Sequence, residues 1–174
     1  MKEVFLLAMF VMLPVAQAQS PVFPAACGAS DVKFDVKLDK SQHTLAQPVT
    51  GKALVYFFED DNGPTFGEEP AYTTRIGLDG AWVGADKNKS YFSVTVEPGE
   101  HHLCANFRRR RSFVPLRSPT ELAHFRAEVG KTYYFRTRRL ADQSFVQLLL
   151  EPVDSDEGEY LISTYPLSVS QPRK

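Results

Sequence analysis

The chain has 174 residues, of which 43% are hydrophobic and 24% are charged, and its formal net charge is −1. This composition is typical of a folded globular protein and excludes an intrinsically disordered chain. A net charge so close to zero also excludes a global field that attracts nucleic acid or a membrane surface. The length suits one domain.

The first eighteen residues have the layout of a secretory signal peptide. Lys2 supplies a basic start, residues 4–15 form an apolar run, and Ala16 and Ala18 fit the small-x-small rule for cleavage. The apolar run is shorter than the roughly 20 residues of a membrane helix, so we expect no transmembrane span in the mature chain. The alternatives to cleavage after Ala18 are an uncleaved N-terminal anchor and acylation of Cys27.

The rest of the chain divides into three parts. Residues 19–30 are rich in proline and alanine and are expected to form a flexible leader. Residues 31–165 carry strand patterns throughout and are predicted to form one β-sandwich domain. Residues 166–174 contain two prolines and are expected to be a frayed tail.

Two cysteines are present, Cys27 and Cys104. An even number of cysteines in an exported protein indicates a disulfide bond, because oxidising compartments preserve such bonds. The predicted bond closes a loop of about 77 residues, for which chain entropy gives at most roughly 4–5 kcal/mol. The alternative is two separate buried thiols.

Strand patterns follow one another along the chain. Residues 31–38 alternate polar and apolar side chains, which is the period of a half-buried strand. Residues 52–58 are apolar on both faces, which predicts a central strand. Residues 90–96 alternate again, with Phe92 and Val96 on one face. Residues 154–163 form the one predicted helix, which Asp154 or Ser155 can cap.

Glycine-centred turns separate the predicted strands. Asp79 and Gly80 form a two-residue hairpin signal, because both positions of such a turn need a positive φ. Residues 97–100 and 128–131 are interpreted as two further hairpin turns. Eight or nine short strands result, which predicts an all-β, antiparallel β-sandwich, immunoglobulin-like or transthyretin-like, with one short C-terminal helix. A closed barrel is the alternative architecture.

Four motifs resemble one bacterial family. They are GKALVY at 51–56, SYF at 90–92, EPGEH at 97–101 and GKTYYFR at 130–136. On these motifs the chain resembles the bacterial domain-of-unknown-function family numbered 2846, over roughly residues 51–162. The resemblance implies an exported envelope protein with no assigned activity, and therefore no catalytic residues.

Three histidines are candidate metal ligands. His101 and His102 are adjacent on a strand, so they point to opposite faces and do not easily bind one ion together. His124 can approach either of them if its strand is a neighbour. No Cys-x-x-Cys or His-x-x-x-His spacing is present, so no metal site and no cofactor are predicted.

An enzyme is the alternative to a binding protein. A Gly-x-Ser-x-Gly motif is missing from the sequence, and carboxylates in the loop at 59–72 are interpreted as solvated charges. A hydrolase or metal-dependent enzyme would have to use His101 or His124 with these loop carboxylates. We therefore predict no catalytic residue and keep this enzyme as the second hypothesis.

The sequence contains one unusual run of charge, in which Arg108, Arg109, Arg110 and Arg111 are consecutive. Arginine binds phosphate and carboxylate groups through two parallel hydrogen bonds. The run is therefore the candidate site for an anionic envelope ligand, in a loop that extends to about Pro119. The alternative is a solvated strand end that prevents aggregation.

The predicted function is binding or scaffolding in the cell envelope by an exported protein, periplasmic or secreted. Its partner is an envelope protein or an anionic ligand, and nucleic acid is excluded because export separates the protein from it. A surface protein whose strand edges pair with a partner chain is a third hypothesis.

Overall fold

The computed structural model describes residues 24–43, 45–60, 72–109, 116–141 and 146–173. The predicted signal peptide, most of the loop at 59–72, and Arg110 and Arg111 lie outside these residues. Eleven strands and one helix occur in the described part of the chain. They are β1 (Phe34–Asp39), β2 (Ala53–Glu59), β3 (Tyr72–Leu78), β4 (Ala81–Asp86), β5 (Ser90–Val96), β6 (Gly99–Arg109), β7 (Leu116–Ser118), β8 (Thr120–Ala127), β9 (Thr132–Ala141), β10 (Val146–Pro152), α1 (Ser155–Thr164) and β11 (Leu167–Pro172).

The strands form two sheets that pack as a sandwich. The large sheet has the order β1-β11-β5-β2-β9-β10-β7, and the small sheet has the order β4-β3-β6-β8. The predicted all-β sandwich with one helix near the C-terminus is therefore confirmed. The small sheet is antiparallel throughout. The prediction of antiparallel pairing is wrong for the large sheet, which is mixed, because β10 with β7, β11 with β5, and β2 with β9 are parallel pairs.

Strand β2 has the central position that its composition predicts. It is the fourth strand of seven, and every one of its residues is buried. Its odd-numbered side chains enter a core between the two sheets, with Ile76 and Leu103 of the small sheet. Its even-numbered side chains, Leu54, Tyr56 and Phe58, enter a second core on the other face of the large sheet, beneath α1.

The β3–β4 hairpin forms at the predicted turn. Asp79 has a φ of 50° and Gly80 a φ of 88°. These left-handed conformations at two successive positions are the ones that a tight hairpin turn requires. The two strands pair from Leu78 opposite Ala81, and a register shift follows between Gly77 and Ile76.

The two other predicted hairpins are wrong. Strand β5 pairs with β2 and β11, whereas β6 pairs with β3 and β8, so the turn at 97–100 connects the two sheets. Pro98 has a fixed negative φ, which is incompatible with the tight turn of a two-residue hairpin. The turn at 128–131 also connects the sheets, because Gly130 donates its N–H to the carbonyl of Lys52 and so starts β9 beside β2.

The residues before β1 were expected to be flexible, and from residue 24 onward this expectation is wrong. This N-terminal segment (residues 24–32) lies on the outer face of the small sheet. Trp82 donates its indole N–H to the carbonyl of Ala29 at 2.7 Å. Arg75 donates to the carbonyl of Val32 at 2.5 Å and is itself only 2% exposed. Residues 19–23 lie outside the described part of the chain.

The predicted disulfide between Cys27 and Cys104 is confirmed. Both cysteines are buried, and the bond joins the N-terminal segment to the middle of β6. Gly77 makes the close contact feasible, because a Cβ atom there would lie 2.9 Å from the carbonyl oxygen of Ala26. The segment is therefore a fixed layer on the small sheet.

The expected frayed tail is also wrong. Residues 167–172 form β11, which pairs with β1 over six positions and with β5 at Leu167. Hydrogen bonds from neighbouring strands satisfy the backbone there, which explains why Pro166 and Pro172 occur only at the borders of the strand. Strand β11, the last strand along the described chain, therefore lies between β1 and β5 in the large sheet.

Helix α1 begins where its capping signal predicts. Asp154 is the N-cap, and its side chain accepts a hydrogen bond from the N–H of Glu157 at 2.9 Å. The helix buries Gly158, Leu161 and Ile162 against the large sheet. A Cβ atom at Gly158 would lie 2.4 Å from Cδ1 of Tyr134, so only glycine allows this close approach.

Loss of the disulfide should destabilise the protein without changing its strand content. The bond spans 77 residues of sequence, so chain entropy predicts a loss of at most about 4–5 kcal/mol on reduction. Thermal unfolding followed by far-UV circular dichroism, with and without reductant, measures this change. A double Cys27→Ser and Cys104→Ser variant is the control, since reductant should leave its melting temperature unchanged. Two free thiols in protein purified without reductant would contradict the prediction.

Gly158→Ala should destabilise the protein although alanine is the better helix former. The gain in helix propensity is about 1 kcal/mol, whereas overpacking against the Tyr134 ring costs about 1–3 kcal/mol. Tyr134 is stacked on Tyr56 with ring centroids 5.6 Å apart, which prevents the ring from moving aside. Urea unfolding compares this variant with Glu159→Ala at the exposed neighbouring position. A stabilised Gly158→Ala variant would show that α1 does not pack closely on the sheet.

Candidate functional site

The basic run begins inside a strand and not in a loop. Arg108 and Arg109 are the last residues of β6, where they lie opposite Thr73 and Tyr72 of β3. The expectation that the loop starts at Arg108 is therefore wrong, because the backbone pairing with β3 extends β6 by two residues. Arg110 and Arg111 lie outside the described residues. The anion-binding role of the run stays a prediction.

His101 has a structural role, because both of its ring nitrogens form hydrogen bonds within the fold. Its Nδ1 lies 2.6 Å from Oδ2 of Asp79, and its Nε2 lies 2.7 Å from the carbonyl oxygen of Glu97. Both partners are acceptors, so both ring nitrogens donate. Burial lowers the pKa of His101, but the hydrogen bonds to Glu97 and Asp79 and the charge of Asp79 outweigh burial, and the net pKa is raised. His101 therefore connects the β3–β4 turn to the corner after β5.

The other two strand histidines lie together on the surface. His102 of β6 is directly opposite His124 of β8, and both side chains are exposed. Their ring centroids are 6.5 Å apart. His124 therefore approaches His102 and not His101, whose side chain lies on the opposite face of the strand. Groups of three or more metal-ligating side chains do not occur in the part of the chain that the structure describes.

Glu59 is not the solvated loop carboxylate that the sequence predicts. It is the last residue of β2, points between the two sheets and is only 2% exposed. The hydroxyl group of Thr137 lies 3.0 Å from its Oε2. Asp60, the next residue, points to the other face of the sheet, where the hydroxyl group of Tyr165 lies 2.6 Å from its Oδ1.

A second buried carboxyl group lies close to Glu59. Asp86, at the end of β4 in the small sheet, is 0% exposed, and its backbone is opposite Thr74. Its carboxyl group is placed to share a hydrogen bond with the carboxyl group of Glu59. Arg139 of β9 supplies a positive charge on the same side of the large sheet as Glu59 and Thr137. We call Glu59, Asp86 and Arg139 the buried carboxyl cluster.

The protonation of the buried carboxyl cluster follows from burial. Burial raises the pKa of Asp86 well above its ordinary value, and the negative charge of Glu59 raises it further. Burial also raises the pKa of Glu59, against the opposing effects of the Thr74 hydroxyl and the Arg139 charge. Burial lowers the pKa of Arg139, and Glu59 opposes this effect. One guanidinium neutralises one carboxylate, and the pKa of Asp86 is raised more strongly than that of Glu59, so we assign the retained proton of the pair to Asp86.

On the helix side of the large sheet, a second polar cluster surrounds Arg136. Its Nη2 lies 2.8 Å from Oε1 of Glu151, and its Nη1 bonds to Glu157 of α1 and lies 3.8 Å from Asp60. These hydrogen bonds and carboxylate charges raise the pKa of Arg136 although burial opposes them. The cluster attaches α1 to β9 and β10, which is a structural role.

Sequence reasoning missed the buried carboxyl cluster for an identifiable reason. Glu59 follows six buried apolar residues and continues their alternation, so its side chain had to face either the core or α1. The same signal, a charged residue that keeps the register of a buried strand, also marks Arg139 in β9. Asp86 gives no such signal, since it precedes a turn, where aspartate is common.

No protein-family model, curated protein or solved structure matches the chain. In the described residues, no helix has the length and apolar character needed to cross a membrane.

Asp86→Asn should stabilise the protein at neutral pH. The folded pKa of Asp86 is raised, so its contribution to stability is complete below the unfolded pKa, near 3.9, and decreases as pH rises through the folded value. An amide has no such dependence and can donate a hydrogen bond to Glu59, which should add about 1–3 kcal/mol at pH 7. Urea unfolding between pH 4.5 and 8 measures the difference.

Asp31→Asn is the control for this experiment, because Asp31 is an exposed carboxylate. Its stability should follow that of the wild type at every pH. An Asp86→Asn variant that is less stable than the wild type throughout the range would contradict the protonated state that we assign to Asp86.

Proposed function

We propose that this chain is an exported protein of the bacterial envelope that acts by binding or scaffolding and not by catalysis. The observation that carries the proposal is the buried disulfide between Cys27 and Cys104. Such bonds form and persist in oxidising compartments, which include the bacterial periplasm and the exterior of the cell. The signal-peptide pattern of residues 1–18 supports the same location, periplasmic or secreted.

The packing of the sandwich supports a role in binding at the surface. Large aromatic side chains, among them Phe57 and Phe107, fill the space between the sheets. The second core, with Tyr56 and Tyr134, fills the space beneath α1. The N-terminal segment covers part of the remaining outer face. Recognition by this protein therefore uses its rims and its exposed strands.

The ligand that we propose is anionic and binds at Arg108, Arg109, Arg110 and Arg111. Four consecutive guanidinium groups repel one another, and a phosphate or carboxylate ligand relieves this repulsion through paired hydrogen bonds. An envelope protein with an acidic surface is the other partner that this chemistry recognises.

The second candidate is a hydrolase or metal-dependent enzyme. The observation in its favour is the raised pKa of Glu59 and Asp86, because paired carboxyl groups with shifted pKa values are typical of acid–base catalysis. Both groups are enclosed, with 2% and 0% of their surfaces exposed, which is why this function ranks second. Hydrolytic activity that is lost in Glu59→Gln would reverse the order.

Binding of the mature protein to vesicles tests the proposed function. The protein is purified from the periplasm, and its mass checks cleavage after Ala18. We expect it to bind vesicles that contain phosphatidylglycerol, but not neutral vesicles, and to lose affinity as salt rises because salt screens exposed charges. Replacement of all four arginines by serine should abolish binding. No binding by the wild type, or binding that salt does not change, would contradict the anionic ligand.

A charge-matched variant separates the arginine run from net charge. It carries serine at Lys33, Lys37, Lys40 and Lys131, which are all exposed and lie elsewhere on the fold. Its net charge equals that of the arginine variant. Retained binding supports the run as the site, and equal loss in both variants would show that net charge alone is responsible.

A further inference from the structure

The pair of exposed histidines on the small sheet has a geometry that suits a metal ion. His102 and His124 are directly opposite on neighbouring antiparallel strands, and their ring centroids are 6.5 Å apart. Directly opposite residues in such strands have Cβ atoms about 4.5–5.5 Å apart, so their side chains emerge side by side from the same face. Two imidazoles placed in this way can reach one ion.

The fold engages these two rings only weakly, through the charge of Asp79 beside His102. Within the described residues, neither imidazole takes part in a hydrogen bond or an ion pair, although the backbone N–H of His102 donates to Asp79. His101 differs, because Asp79 and Glu97 engage both of its ring nitrogens. The nitrogens of His102 and His124 are therefore accessible to a ligand from solvent.

We propose that His102 and His124 together chelate a divalent transition-metal ion on the surface of the small sheet. A nitrogen–metal bond of about 2.0–2.1 Å places the ring centroid about 3 Å from the ion, so two rings in neighbouring positions of a tetrahedral or square-planar site lie about 4.5–5 Å apart. The rings need to approach by only about 1–2 Å. Rotation of exposed side chains achieves this without movement of the strands.

The surroundings favour copper(II) over the other ions that imidazole binds. Divalent affinity for a given nitrogen site rises to a maximum at Cu²⁺, ahead of Ni²⁺ and Zn²⁺. The two cysteines are joined in a disulfide, so no thiolate of this chain competes for the ion. Glu100 and Arg126 lie on this face and form an ion pair at 3.1 Å, and the carboxylate of Asp79 beside His102 adds a negative charge that favours a cation. Water completes the coordination.

Titration with Cu²⁺ alone tests the site. Calorimetry on the mature oxidised protein at pH 7.4 should give one ion per chain, and electron paramagnetic resonance should show two nitrogen ligands. His102→Gln and His124→Gln should each weaken binding at least about tenfold, since even indirect ligand contacts are worth 10–100-fold. Bound Cu²⁺ should also raise the melting temperature of the wild type, because it binds the folded state preferentially.

His43→Gln is the matched control, since His43 is exposed and lies far along the chain, beside the carbonyl groups of Lys40 and Ile162. It should bind Cu²⁺ like the wild type. Circular dichroism of the metal-free variants checks that each is folded. The proposal is wrong if the wild type binds no ion, if the double variant of His102 and His124 retains full affinity, or if His43→Gln loses as much affinity as they do.

Discussion

The whole structure depends on the burial of β2 on both of its faces. One set of its side chains, which includes Val55 and Phe57, fills the core between the sheets, and the alternate set, which includes Tyr56 and Phe58, fills the core beneath α1. Each aromatic side chain removes roughly 150–250 Å² from water, so this strand joins two hydrophobic layers into one unit. The pairing of β2 with β5 and β9 then sets the order of the large sheet.

Two carboxylate residues lie at the C-terminal end of the apolar strand β2. Glu59 and Asp60 continue the alternation of β2, so one carboxyl group enters the space between the sheets and the other faces α1. Glu59 meets Asp86 and Arg139, whereas Asp60 meets Tyr165 and lies near Arg136. A buried proton results on one side of the sheet and an ion-pair network on the other. The exposed histidines of the small sheet are separate from both clusters, so any role in metal binding is independent of the buried proton.

The sequence predicted local structure well and strand partners poorly. Alternation located the strands, Asp79 and Gly80 identified a true hairpin, and Asp154 identified the start of α1. The turns after β5 and β8 resembled hairpins, yet each connects the two sheets, because a turn motif does not specify which strand pairs with the next one. The side chains that lie together in the candidate sites also depend on which strands are neighbours. The sequence indicated that His124 would lie near His101 or His102 only if their strands were neighbours, so it could not choose between them. It gave no indication that Asp86 lies close to Glu59.

Side-chain periodicity and the number of cysteines are local or compositional properties, so the all-β class, the central strand and the disulfide could be predicted from the sequence alone. The choice of partners is not local. Parallel pairing of β2 with β9, the return of β11 into the large sheet and the enclosure of two carboxyl groups join residues that are distant along the chain. Strand partners are decided by the arrangement of all the strands together that buries the most apolar surface. That arrangement depends on the whole folded chain, so no single segment of the sequence specifies it.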